Sequence, residues 1–202
     1  GERPMSSSGL IVGAVLLAAG QSERFGPENK LLATVDGRSV VRAAARTLRA
    51  APFDDLVAVV GHDAAAVSAV LSEEFGLRHN DRYAAGQHTS VRAGVAAAQK
   101  AGWDGALFAL GDMPAVAPAT IDALLESFIG GSGTIVVPTE GGRRGNPVLF
   151  GASHFDALAE VAGDRGGREL IATHPDVVRV PVDDAGIHRD IDRPEDLRSV
   201  RE

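Results

Sequence analysis

The chain has no cysteine, one tryptophan and one tyrosine in 202 residues. Without cysteine there are no disulfides, no thiolate metal ligands and no catalytic thiol. Aromatic residues make up 4% of the chain against 45% apolar residues overall, so small aliphatic side chains must build the core. No apolar run reaches the ~18 residues needed to cross a bilayer. The opening Gly1-Glu2-Arg3-Pro4-Met5-Ser6-Ser7-Ser8 is polar and lacks the apolar region of a signal peptide. Residues 1–8 are therefore expected to be a disordered or appended segment, with Met5 a candidate start, and the cytoplasm is the expected compartment. Basic residues are outnumbered, 20 Lys and Arg against 27 Asp and Glu. A net charge of -7 gives no footprint for nucleic acid and is too modest to signal disorder. Neither nucleic acid nor membrane is expected as a partner.

What is present is alternation. Strand-like apolar runs at 11–17, 56–60, 77–80, 106–110, 134–137, 147–150 and 177–182 are separated by alanine-rich helical stretches at 39–50, 89–100 and 118–128. A further helix follows Gly61-His62-Asp63 and ends near Phe75, two more surround residues 163–168, and Pro194 opens a terminal one. This pattern predicts an α/β protein with a largely parallel sheet. No linker, repeat or composition break divides it, so residues 9–202 read as a single domain.

Open α/β sheets bind ligands beyond the carboxyl ends of their strands. The first such end carries Leu17-Ala18-Ala19-Gly20-Gln21-Ser22-Glu23-Arg24-Phe25-Gly26-Pro27-Glu28-Asn29-Lys30. Glycine admits close approach of backbone to phosphate, successive N–H groups make an anion nest, and Arg24 and Lys30 supply a fork and a point of positive charge. The stretch is not the common phosphate loop, because G-x-x-x-x-G-K-[ST] is absent. A second such end, Gly111-Asp112-Met113-Pro114, offers a hard carboxylate that suits Mg²⁺. The six histidines show no metal-ligand spacing and read mostly as solvated; Asp104, Asp183 and Asp184 read as surface acids.

The motif Leu-Ala-Ala-Gly-x-Ser-x-Arg-x-Gly-x-x-x-Lys resembles the signature of nucleotidyltransferases of the glycosyltransferase-A-like fold. Among them it is most similar to the molybdenum cofactor cytidylyltransferases of the MobA-like NTP transferase family. The resemblance implies a three-layer α/β/α fold like that of nucleotide-diphospho-sugar transferases, with a mostly parallel mixed sheet of about seven strands. It implies a nucleotide site at Leu17, Ala18, Ala19, Gly20, Ser22, Arg24, Lys30, Gly61, Ser90, Gly94 and Asp112, with Arg24, Lys30 and Asp112 serving catalysis. Ser90 and Gly94 enter through Gly86-Gln87-His88-Thr89-Ser90-Val91-Arg92-Ala93-Gly94. There Ser90 is expected to bond a base edge and Gly94 to let the helix approach the glycine loop. Thr89 or Ser90 serving only as a helix cap is the plainer alternative.

A second metal ligand is implied in Asp190-Ile191-Asp192-Arg193-Pro194-Glu195-Asp196, which is similar to a run that ends the family. Alternation sets Asp190 and Asp192 on one side and Ile191 on the other; Asp190 is preferred and Asp192 stays open, with helix capping as its alternative role. Blocks similar to Arg-Gly-[His/Asn]-Pro and Gly-Asp-x-Gly-x-Arg imply an acceptor pocket containing Asn146, Pro147, Asp164, Gly166 and Arg168. The implied cofactor is Mg²⁺, or Mn²⁺ in its place. The implied partners are CTP or GTP, a phosphorylated acceptor such as molybdopterin, and a molybdoenzyme client. The competing readings are a guanylyltransferase acting on molybdopterin or 2-phospholactate, a sugar-1-phosphate nucleotidyltransferase, and a nucleotide-binding cofactor chaperone. Ala19, where molybdopterin guanylyltransferases usually carry glycine, favours cytidine.

Overall fold

The computed structural model describes residues 9–160, 163 and 166–200. The N-terminal segment and Asp164 lie outside them. In chain order the described elements are β1 (Val12–Ala18), β2 (Thr34–Val35), β3 (Arg38–Ser39), α1 (Val40–Arg49), β4 (Asp55–Val60), α2 (Ala64–Ala69), β5 (Gly76–His79), α3 (Gln87–Lys100), β6 (Gly105–Leu110), α4 (Pro118–Ile129), β7 (Ile135–Glu140), β8 (Arg143–Arg144), β9 (Val148–Gly151), α5 (Phe155–Glu160), α6 (Gly166–Thr173) and β10 (Val177–Pro181).

β1 is buried along its whole length and lies between β4 and β6, parallel to both. A strand covered on both faces has no polar side to show, which is why its sequence reads as an unbroken apolar run. Alternate residues feed two cores. Val12, Ala14, Leu16 and Ala18 meet Val41 and Leu48 of α1, Val67 of α2 and Ile121 and Leu124 of α4. Val15 and Leu17 meet Val95 and Ala98 of α3, Phe155 and Leu158 of α5 and Ile171 of α6. The result is three layers. The sheet runs β10-β7-β9-β6-β1-β4-β5, with β8 paired to β7. β9 is antiparallel to both neighbours, and so is β8 to β7; the other pairings within this sheet are parallel. Among the described residues no helix is long and apolar enough to cross a membrane.

The single tryptophan has a built place. A side chain at Gly13 would overlap the Trp103 indole, whose Nε1 donates to Asp55 Oδ2 at 3.2 Å. Elements differ from the sequence expectation where local polar chemistry wins. α2 stops at Ala69, and Ser72 Oγ takes the Glu74 N–H in the turn that follows; serine bonding nearby backbone competes with helix. α3 starts at Gln87 behind Gly86, so neither Thr89 nor Ser90 is its cap. Asp36 and Gly37, both at positive φ, close a small hairpin of β2 and β3 that periodicity missed. The segment after Pro194 is a 3-10 helix.

Asp184 is not a loose surface acid. Its Oδ2 accepts from Ala117 N at 2.8 Å and Thr120 Oγ1 at 2.7 Å, and its Oδ1 accepts from Gly186 N at 2.9 Å. It thus caps α4, whose own cap position is an alanine without an acceptor. His154 is also buried rather than solvated, with Nε2 2.8 Å from Thr134 Oγ1 and its ring 4.6 Å from that of His174. Burial, then His174, pushes its pKa down.

Candidate active site

Three loops leave the carboxyl edge of the sheet side by side and are tied together by backbone. His62 N donates to the Ala19 carbonyl at 3.2 Å, Gly111 N to the Leu17 carbonyl at 2.9 Å, and Ile191 N to the Asp112 carbonyl at 2.9 Å. Gly111 permits this approach, since a Cβ there would lie 2.9 Å from the Leu17 carbonyl oxygen. The segment bearing Asp190 and Asp192 is held by Ile191, which is fully buried with Phe25, Val35 and Val40. Phe25 belongs to the glycine loop, so the first loop and the last acidic segment share one small core.

The loop after β1 is braced from within. Ser22 Oγ donates to Asn29 Oδ1 at 3.2 Å and accepts from Lys30 N at 2.9 Å, while Asn29 Oδ1 accepts from Leu31 N and Asn29 Nδ2 donates to Asp63 Oδ2 at 3.3 Å. This bracing delivers Lys30 inward, where its Nζ lies 2.9 Å from Asp112 Oδ2. Arg24 stays at the rim, with its guanidinium 3.0 Å from Asp192 Oδ2. Burial pushes the Asp112 carboxyl above the usual range; Lys30 opposes this, and Asp190 adds to it by like charge.

Two cavities meet at this carboxylate. The first, about 560 Å³, is lined by Leu17, Ala19, Gly20, Arg24, Lys30, Tyr83, Gln87, Ser90, Asp112 and Asp192 among others. The second, about 580 Å³, includes Phe108, Asp112, Arg144, Asn146, Arg168 and Asp190. Leu17, Gln87, Leu110 and Asp112 face both. Asp190 and Asp192 therefore part company: the first faces the second cavity, and the second is engaged with Arg24 on the wall of the first.

Several expected residues stand elsewhere. Ala18 is enclosed in the core, and the Ser22 hydroxyl is spent on bracing the loop. Gly61 packs against Asn80, Tyr83 and Ala19. Gly94 does not face the glycine loop: a Cβ there would lie 2.7 Å from Val15 Cγ1 and 3.0 Å from Phe108 Cε1, so it brings α3 onto the sheet. The Ser90 hydroxyl accepts from Asn80 Nδ2 at 2.9 Å, although the residue remains on the first cavity's wall. Pro147 does not line the second cavity; it faces a small apolar cleft with Ala44 and Leu48. Gly166 starts α6, and its neighbours Gly167 and Arg168 line the second cavity. Arg144, the arginine of the expected acceptor block Arg144-Gly145-Asn146-Pro147, does line the second cavity, whereas sequence reasoning did not single out Tyr83 and Gln87 on the wall of the first. Their only signal was proximity to motifs already noted.

Comparison with known proteins identifies the family and agrees with the fold. The MobA-like NTP transferase domain matches residues 14–178. Nicotine blue oxidoreductase of Paenarthrobacter nicotinovorans is 32% identical over 92% of this chain and 94% of its own length, and its name describes that protein's reaction. Among solved structures, a nucleotidyl transferase from Methanothermobacter thermautotroptrophicus superposes with a TM-score of 0.82 at 26% identity, covering 96% of this chain and 97% of its own. A manganese complex of Rv0371c from Mycobacterium tuberculosis superposes with a TM-score of 0.76 at 28% identity, covering 94% and 97%.

Proposed function

The chain belongs to the MobA-like NTP transferase family, and from that premise we propose that it is a cytidylyltransferase that joins CTP to a phosphorylated acceptor of the molybdopterin type. The observation that carries the reading is the pair of cavities sharing Asp112, one walled by the glycine loop with Lys30 and Arg24, the other containing Arg168 and Asn146. A triphosphate in the first and a phosphate in the second would meet at that carboxylate.

In the reaction an acceptor phosphate oxygen forms a bond to the α-phosphorus of CTP while the bridging α–β bond breaks, releasing pyrophosphate. A phosphate monoester already carries about -1.5 to -2 charges at neutral pH, so no protein base is required. Catalysis rests on alignment and on neutralising phosphate charge. Lys30 and Arg24 hold the β- and γ-phosphates, exchanging their present partners Asp112 and Asp192 for phosphate oxygens. Arg168 orients the acceptor's phosphate. Backbone N–H groups of residues 19–22 supply further donors as an anion nest.

The residues present fit a divalent cation. Asp112 and Asp190 are close enough for like-charge repulsion to raise the Asp112 pKa, and a cation beside both would relieve it. Among the described residues no three His, Cys, Asp or Glu side chains form a ready cage, which suits Mg²⁺ or Mn²⁺ bound by one or two carboxylates with water and phosphate. Such an ion supplies charge neutralisation and orients phosphate oxygens.

The test is pyrophosphate release on mixing the protein with Mg²⁺, molybdopterin and each nucleoside triphosphate in turn. CTP-dependent release supports the reading. Release with GTP alone moves the protein to the guanylyl branch, and no release with any triphosphate overturns the transfer reaction.

A further inference from the structure

In the proposed transfer the new bond is made where the two cavities meet, because the acceptor's phosphate in one attacks the α-phosphorus of the triphosphate in the other. Four residues face both cavities: Leu17, Gln87, Leu110 and Asp112. Leu17 and Leu110 are register partners on the parallel strands β1 and β6 and bring no polar side chain. Asp112 is a carboxylate engaged with Lys30. Gln87 alone of the four offers a neutral side-chain donor, with two N–H bonds on its carboxamide.

Gln87 is the first residue of α3, exposed itself but set on a braced backbone. Gly86, at φ 126°, turns the chain into the helix, a conformation that a side chain would strain. The Thr89 hydroxyl donates to the Gly86 carbonyl at 2.7 Å and accepts from Asn80 Nδ2 at 2.8 Å, and Asn80 Nδ2 also donates to Ser90 Oγ at 2.9 Å. Asn80, Thr89 and Ser90 are all buried, so this bracing is shielded from water. Among the described residues the Gln87 carboxamide makes no hydrogen bond. Resting on the transfer reaction proposed above, we infer that Gln87 is a further catalytic residue, whose carboxamide N–H donates to a non-bridging oxygen of the α-phosphate. As the acceptor oxygen bonds to the α-phosphorus and the bridging α–β bond breaks, negative charge gathers on the non-bridging oxygens. Gln87 holds one of them by a neutral hydrogen bond and transfers no proton. A donor already positioned toward developing charge needs little reorientation at the moment of reaction.

The experiment is single-turnover pyrophosphate release by the full chain with Mn²⁺, molybdopterin and either CTP or each of its two α-thio diastereomers, alongside calorimetric titration of CTP. Where the parent uses another nucleoside triphosphate, that nucleotide and its thio forms replace CTP. The proteins are the parent, Gln87→Ala and Gln87→Glu. Gln87→Ala should react with CTP on the order of 100-fold more slowly, the loss for one donor to a developing oxyanion. Its CTP affinity should stay within about twofold of the parent, because the contact strengthens only as charge develops. With one thio diastereomer the slowing should be as large as with CTP. With the other, whose sulfur replaces the oxygen that Gln87 holds, it should be several-fold smaller, because sulfur is a poor acceptor. Gln87→Glu keeps the shape, loses the donor and adds a negative charge, so it should lose at least as much as Gln87→Ala, and it serves should the alanine variant not fold. A parental rate in either variant overturns the role of Gln87. So does a CTP affinity that falls as far as the rate, which marks a contact made equally in the ground state, and so does equal slowing with both diastereomers. A parent inactive with every triphosphate overturns the transfer reaction itself and the role of Gln87 with it.

Discussion

Replacing Lys30 by methionine keeps the length of the side chain and removes its charge. Lys30 and Asp112 lie 2.9 Å apart with side chains 14% and 19% exposed, so the pair is more than a surface contact and less than a sealed one. Removing one partner of a fully buried pair costs about 3–5 kcal/mol, whereas exposed pairs are worth under about 1. The intermediate exposure sets an expected loss of about 1–3 kcal/mol at neutral pH. For a chain of this size that is a fall in melting temperature of roughly 2–12 °C.

The pH dependence gives the sharper test. The Asp112 carboxyl already sits above its ordinary value in the folded protein, and Lys30 is what restrains it. A carboxyl raised on folding favours the native state while protonated and opposes it once ionised, so its contribution is lost as pH rises through the folded pKa. Without Lys30 that value rises further. The deficit of Lys30→Met relative to the parent should be greatest at neutral pH and shrink on mild acidification. Mg²⁺ should raise the melting temperature of Lys30→Met more than that of the parent, because a cation at Asp112 no longer competes with the ammonium. A deficit that is constant with pH, together with equal Mg²⁺ responses, would refute the counterion role.

Three further outcomes are expected. Asp190→Asn should abolish Mg²⁺-induced thermal stabilisation measured with CTP present, while Asp192→Asn retains it, since Asp192 is engaged with Arg24; the reverse result exchanges their roles. Asp184→Ala should lower stability by about 1–2 kcal/mol in urea melts, the usual cost of a lost helix cap; an unchanged midpoint would remove the cap from α4. His154 has a folded pKa below its ordinary value, so its contribution is present above the unfolded value near about 6.5 and lost as pH falls through the lower folded one. Melting curves across that window should therefore fall more steeply for the parent than for His154→Gln, and parallel curves would count against it.

Alternation of apolar runs with alanine-rich stretches determined the layered α/β architecture. The run into Gly20, Arg24 and Lys30, with Gly111-Asp112 at another strand end, determined which edge of the sheet carries the site. Those signals are local and repeat along the chain, so sequence alone carries them. Tertiary structure decided what depends on register and distant partners. It separated Asp190 from Asp192 by turning the first to the second cavity and pairing the second with Arg24, and it turned Arg144 inward and Arg143 outward through the Gly141-Gly142 turn. It put Gly94 against Val15 and Phe108, engaged the Ser22 hydroxyl within its own loop, and made Asp184 the cap of α4, more than sixty residues away in the chain. Each choice turns on a few ångströms between groups from different elements, and short-range pattern holds no record of those distances.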